Sequence, residues 1–445
     1  MFFGANHMSF LPTDDPDRAA LHNEVHARPS ASIRLPAFIV LVGVFNEGIS
    51  REQEWEHLQK LQPSLSLQEM QGNFVRLRMD EYTLKWERHT EFTRYSLVQP
   101  LPLEAGLESQ DPELMPHLIL PQDWLASIPG RTFSAIKLVM LPSDLSNPQE
   151  ALDKAKHWFG GAPLIASRMG NPAHSLVATD FKLRDNGFER MLVLAPEGTS
   201  KSRAGRVSQR LLELETYRLM ALRGLPVAKA VSAQLGNAEK ELASIIESLE
   251  QKDCDDQALL TRLIGLAANV ERMTAENAYR FSATAAYDKL VRERIAELRE
   301  SPISGTQTIG EFMKRRLSPA MATVAATAQR MAALSERISR ASALLRTRVD
   351  IATEEQNRVL LEKLTEGQEL QLRLQSTVEG LSIAAICYYV ISLLLYPGKA
   401  VKAAGVNIHP ELVAGAFIPL VLWLVWSASK RIQDKLYKKK WRDGA

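Results

Sequence analysis

Three groups of residues combine type and spacing in ways that could do chemistry. The first is the segment HNEVHARP, in which His22, Glu24, His26 and Arg28 occupy alternate positions. In an extended chain these four share one side, because strand side chains repeat every two residues. Two imidazoles and a carboxylate are ligands suited to zinc or a similar divalent metal ion, completed by groups from elsewhere in the fold. The same set would also serve as a hydrogen-bonded network or a subunit contact. The second group is GTSKSRAGR, from Gly198 to Arg206, a basic Gly/Ser-rich stretch just ahead of a helical pattern. Backbone amides at a helix start attract anions, and Lys201, Arg203 and Arg206 add positive charge. The spacing differs from a phosphate loop, which needs Gly-Lys-Ser/Thr four residues after a first glycine.

The third group is a polar stripe. Gln368, Gln371, Gln375, Val378, Ser382, Ala385, Tyr389, Ser392 and Tyr396 follow alternating steps of three and four residues. On a helix they form one face, small or hydroxyl-bearing, while Ile383, Ile386, Val390 and Leu394 lie elsewhere around it. Gln375, Ser382, Ala385, Tyr389, Ser392 and Tyr396 are therefore the pore-lining candidates. Polar groups inside a bilayer favour a wet cavity or a protein interior over lipid. The alternative is helix–helix packing through small residues. No nucleophile elbow, kinase signature or HExxH pair is present, so the expectation is that the chain is not an enzyme.

The elements that must position these groups follow from composition and pattern. The chain has 445 residues, 45% hydrophobic and 24% charged, with net charge +2 and two cysteines. That is globular rather than disordered, lacks the basic excess of a nucleic-acid binder, and carries no disulfide framework. The N-terminus has no charged n-region followed by a long apolar run, which argues against a cleaved signal peptide. Two uncharged runs stand out, at 380–396 and 412–429. Each is near the length a helix needs to cross a hydrocarbon core of about 30 Å. After them come Lys430, Arg431, Lys435, Lys438, Lys439 and Lys440, expected to lie against anionic headgroups. The link between the runs holds only Lys399 and Lys402, so positive-inside bias places both termini in the cytoplasm.

Alternating apolar runs predict strands at 37–44, 74–79, 82–88, 92–98, 133–141, near 175–181 and at 190–195. Helices are expected at 51–61, 111–126, 147–158, 207–222, 227–251 and 256–300, with a last long one from about 309. Arg223-Gly224-Leu225-Pro226 reads as a glycine stop and proline exit. In the long helix Met331, Leu334, Ile338, Ala341 and Leu345 form a heptad seam, followed by Leu360, Leu364, Leu370, Leu374 and Val378. About 70 residues of helix would extend about 100 Å, which requires a stalk. The expected organisation is α+β. A cytoplasmic α/β domain covers 1–200 and a long-helix stalk 201–377. Two transmembrane helices (378–396 and 411–429) with a short outer loop occupy 378–429, and a basic tail 430–445.

LHNEVHARP (21–29), FERMLVLAPEGTSKSRAGRVSQRLLELETYRLMALRGLP (188–226) and QSTVEGLSIAAICYYV (375–390) resemble a bacterial family of membrane-anchored proteins with a domain of unknown function. That resemblance implies a bacterial inner-membrane location and brings no activity. Residues 206–442 are also similar in layout to the CorA-type magnesium transporters. The similarity implies a homo-oligomer with the first span lining an ion pathway gated by the cytoplasmic domain. The alternative is a non-conducting scaffold or ligand-binding module. Where those transporters carry Gly-Met-Asn, this chain has Tyr396-Pro397-Gly398-Lys399, and no selectivity residue carries over.

Overall fold

A computed structural model describes residues 15–18, 21–22, 31–65, 72–102, 105–108, 117–251, 255–405 and 409–442, with 432–442 described by their backbone alone. The chain divides into two compact units, residues 1–342 and 343–445.

The first unit is built on one sheet. Its strands are β1 (Ala37–Phe45), β2 (Phe74–Arg78), β3 (Thr83–Arg88), β4 (Phe92–Pro100), β5 (Arg131–Pro142), β6 (Ile165–Met169), β7 (Ser175–Thr179), β8 (Glu189–Ala195) and β9 (Ser301–Pro302). They lie in the order β2-β3-β4-β1-β5-β8-β7-β6-β9. β1 reads AFIVLVGVF, an apolar run without alternation, as expected of a strand covered on both faces. Phe38, Val40, Val42 and Val44 enter one core layer. Ala37, Ile39 and Leu41 enter the other. The first layer is closed by α1 (Arg51–Gln59), α2 (Gln122–Ala126) and α3 (Pro148–Ala155), through Trp55, Leu58, Trp124 and Leu152. The second is closed by α4 (Lys201–Leu222), α6 (Asp256–Leu298) and α7 (Ile309–Arg316). Each large side chain fully buried this way contributes about 1.5–3 kcal/mol.

Strand direction sets up the site. All neighbouring pairs are antiparallel except β5 and β8, which run parallel over Ile136–Pro142 and Glu189–Ala195. The carboxyl ends of β5 and β8 therefore emerge side by side. Glu300 ties the far edge to the helices. It accepts from Ser167 Oγ at 2.6 Å and from the backbone N–H groups of Ile309 and Gly310 at 3.0 and 2.8 Å. A carboxylate at the start of α7 suits the positive end of that helix.

Several elements differ from expectation. The helix expected at 111–126 is α2 alone within the described residues, because Pro121 biases its predecessor away from helical backbone and sits as the N-cap. The long helix is broken at Leu317 into α7 and α8 (Ser318–Ala403). Gly224 is not a stop. Only Arg223 separates α4 from α5 (Gly224–Glu250), and Pro226 fits the first turn, where its missing N–H costs nothing. Glycine is needed at 224 for close approach, since an added Cβ would lie 2.3 Å from Thr284 Oγ1. Strands β6 and β9 were not expected at all. Of the heptad seam, Met331, Leu334, Ile338 and Ala341 are buried, as are Val231, Leu235, Leu242 and Ile245 on α5 and Leu259, Leu263 and Val270 on α6.

In the second unit α8 exposes every side chain from Ile351 to Val378. It then runs on through Pro397 to Ala403, past the stop expected at Tyr396. Internal proline is tolerated in apolar helices where neighbours satisfy the freed carbonyl. The turn is made by Gly405 at φ +93°. Gly398 instead lets the chain close on itself, with its Cβ position 3.2 Å from Pro410 Cβ. α9 (Pro410–Arg442) starts with proline in its first turn and carries the basic segment as helix. Both α8 and α9 contain stretches long and apolar enough to cross a membrane. Only 6% and 11% of those stretches is buried, whereas the core helix of a soluble protein would be mostly covered.

Candidate functional site

The parallel pair β5–β8 creates a crevice. From the end of β5 the chain enters the loop Ser143–Ser146 and then α3, on one face of the sheet. From the end of β8 it enters Pro196–Ser200 and then α4, on the other face. Adjacent strands whose following helices leave to opposite faces form the switch point at which α/β sheets commonly bind ligands. A cavity of about 550 Å³ lies there, lined by Ser143, Asp144, Ser146, Glu197, Arg168 and His174 among others. Its size falls within the range of small-molecule sites.

The β6–β7 hairpin supplies the cationic side. Arg168 Nη2 donates to the carbonyl of Ala173 at 3.2 Å. Thr199 Oγ1 donates to the Pro196 carbonyl at 2.6 Å, which leaves it to accept from His174 Nε2 at 2.9 Å. His174 is thereby fixed to the rim of the α4 N-terminus. Burial first, and then the charge of Arg203, hold its pKa below the usual imidazole value. The acidic side is ordered too: Asp144 Oδ1 accepts from the Ser146 N–H and hydroxyl at 2.9 and 2.5 Å. Those bonds draw the Asp144 pKa down. Donors and acceptors thus face one cavity, an arrangement able to orient a polar ligand.

The residues singled out from sequence are distributed around the chain. α4 begins at Lys201 rather than at 207, so GTSKSRAGR is mostly helix, with Gly198 at φ +79° as the turn before it. Lys201 and Arg206 are exposed and Arg203 half-buried. Arg206 is turned back on Ser202 Oγ at 3.2 Å. His22 lies in an exposed helical turn. Glu24 and His26 lie outside the described residues, and no cluster of three metal-ligating side chains occurs among the described ones. Arg168 and His174 were missed. The bracketing turns Ala162-Pro163 and Gly170-Asn171-Pro172 were the available signal for a short strand between them.

The polar stripe has a definite place within the second unit. The hairpin buries Cys387, Pro410, Ala414 and Val421. At about 100° per residue, Ser382, Ala385, Tyr389, Ser392 and Tyr396 lie about 140–180° around α8 from Cys387. Tyr389 and Tyr396 are 68% and 72% exposed, and Ser392 is half-buried. Gln375 donates to Glu379 at 3.1 Å and Ser382 to the Val378 carbonyl at 2.8 Å. At the other end Lys430 Nζ stands 5.1 Å from the Trp426 ring centroid, and Arg431 is exposed. The side chains of Lys435, Lys438, Lys439 and Lys440 lie outside the description.

The profile of DUF3422, a protein family of unknown function, matches residues 13–436. The chain belongs to the DUF3422 family. No curated protein matches it. Among solved structures it is similar to one titled structure of the full-length CmaX protein, with 14% identity over 67% of this chain and 89% of the other. The TM-score is 0.20, too low to equate the two folds. Within this DUF3422 chain the crevice and the α8 stripe are thus defined by their own geometry.

Proposed function

We propose that the protein is a homo-oligomer of the bacterial inner membrane whose α8 helices surround an axis, with their polar stripe lining an ion pathway. The N-terminal unit and the basic tail then lie on the cytoplasmic side, and the sheet domain gates the pathway. The observation that carries this reading is the position of Ser382, Ala385, Tyr389, Ser392 and Tyr396, turned away from the face α8 buries in its own hairpin. Within a bilayer that face needs a partner other than lipid, and an axis shared by several copies supplies one.

Two further features support the reading. Leu360, Leu364, Leu370 and Leu374 are each more than half exposed on a helix segment that no described neighbour covers. Apolar side chains at that spacing are stabilised by other helices of the same kind. The basic residues after the second apolar stretch satisfy positive-inside bias. Lys399 and Lys402, near the end of α8, disfavour cations at an outer mouth, so magnesium selectivity is not part of the proposal.

Flux measured in proteoliposomes with Mg²⁺, Zn²⁺, K⁺ and Cl⁻ tests it. A conducted ion whose flux changes in assembled Tyr389→Ala protein supports the pathway. The absence of flux for every ion would leave the second reading, a membrane-anchored ligand-binding module. The switch-point crevice favours that one, with a polar, negatively charged ligand held by Arg168 and the α4 N-terminus. A thermal shift with phosphate-bearing nucleotides, lost in Arg168→Ala, would establish it.

A further inference from the structure

A buried carboxylate pair lies where β8 meets α4. Glu189, the first residue of β8, and Glu215 on α4 are both buried. Arg218 makes two bonds to Glu215 and stands 3.5 Å from Glu189. Asp180, just past β7, is paired with its own cation, Arg184, at 2.6 Å. β5 places Ile136 beside Glu189, α7 gives Ile309 and Met313 to the same core layer, and Lys314, Arg315 and Arg316 of α7 are exposed. One guanidinium therefore serves two buried carboxylates. Such a pair is stable when one member keeps its proton. Glu189 Oε2 is buried and, among the described residues, reached by no donor, as fits an oxygen that carries a proton itself. Burial first, and then the charge of Glu215, push the Glu189 carboxyl up to about 9.

The same guanidinium touches a strained residue. Phe181 follows Asp180 at φ +49°, the left-handed region that a bulky side chain rarely adopts. Its N–H donates to Thr179 Oγ1 at 3.2 Å. The Arg218 guanidinium carbon lies 5.2 Å from the Phe181 ring centroid, and Phe312 of α7 stacks on that ring at 5.0 Å with an interplanar angle of 15°. Backbone strain of this kind persists where the surroundings enforce it, and it collects at switch regions.

We propose that Glu189, Glu215 and Arg218 form a proton latch for α7, the helix that leads through Leu317 into α8. With Glu189 protonated, Arg218 serves Glu215 and rests on Phe181, whose ring holds Phe312 and with it α7. Loss of the proton draws Arg218 toward a second carboxylate, loosens its contact with Phe181 and frees α7. The latch lies within the first unit, and its test does not depend on conduction.

Opening places Glu189 in water, where it ionises at its ordinary value of 4.5. The closed form binds one more proton, so the opening constant rises about tenfold per pH unit as pH climbs toward 9. Hydrogen exchange of the full-length protein in detergent, corrected for the intrinsic rate, measures it. For amides of α7, opening is expected to increase about 100-fold from pH 6 to 8, with β1 and β5 at least about tenfold better protected at each pH. Glu189→Gln is expected to hold α7 opening within about twofold across that range. Phe312→Ala breaks the link to Phe181, and is expected to raise α7 opening at pH 6 and abolish its pH dependence. Either variant suffices if the other does not fold. Opening of α7 that is independent of pH in wild type, or equally pH-dependent in whichever variant folds, would overturn the proposal. So would exchange of α7 in step with β1, which would mark global unfolding.

Discussion

Replacing Glu189 by glutamine removes a proton that the folded chain is built to hold. Glu189 on β8 and Glu215 on α4 approach in the sheet–helix interface, with side chains 10% and 0% exposed. Arg218 donates through Nε to Glu215 at 2.7 Å and makes a second bond to its other oxygen, while standing 3.5 Å from Glu189. Burial first, and then the charge of Glu215, push the Glu189 carboxyl up to about 9. The unfolded chain releases that proton near pH 4.5, its ordinary value. Between those two values the native state binds more protons than the unfolded one, so stability falls as pH rises. The slope is about 1.4 kcal/mol per pH unit. From pH 6 to 8 the wild-type protein therefore loses about 3 kcal/mol that Glu189→Gln, which cannot ionise, does not lose. At about 2 °C per kcal/mol for a unit this large, the variant's melting temperature gains about 5 °C on wild type across that range. Differential scanning fluorimetry of both proteins at several pH values measures it. A gap that stays constant from pH 6 to 8 would refute the reasoning.

Three other outcomes follow from named contacts. Gly205→Ala places a Cβ 1.6 Å from the Ala31 carbonyl oxygen, so α4 or the segment at Ala31 must shift; a loss above about 2 kcal/mol is expected in denaturant melts. Leu364→Ser with Leu374→Ser is expected to lower the oligomer fraction in sedimentation without altering the N-terminal unit, because both side chains are exposed within one subunit. Tyr389→Ala is expected to change ion flux at least several-fold while leaving the oligomer intact, since its side chain is 68% exposed within one subunit.

Much of the fold could be read from local pattern, because a strand or helix that faces a core advertises its period. β1, β4 and β5 are apolar runs bounded by turns, and α1 opens on a Ser50–Gln53 capping box. What was not legible depends on contacts far apart in sequence. Arg76, Lys85, Glu87 and Arg94 alternate with apolar residues, the pattern of a sheet face open to water. They are covered by α4, over a hundred residues later, and nothing local announces a lid. The crevice was hidden for a similar reason: strand order, and with it the parallel pairing of β5 and β8, cannot be read from a linear pattern. Its neighbour GTSKSRAGR stands out by charge, whereas Arg168 and His174 do not, since β6 is five residues long. Pro397-Gly398 misled as a stop because both residues break helices in water, whereas here Gly398 meets Pro410 within a hairpin.

Single-particle imaging of the full-length protein in nanodiscs would show whether α8 lines an axis shared by several subunits. The expected result is a closed ring with α8 innermost, α9 outside it, and Ser382, Ala385, Tyr389 and Ser392 facing a hydrated axis. A monomer, a dimer without an axial cavity, or a ring with α9 innermost would contradict it.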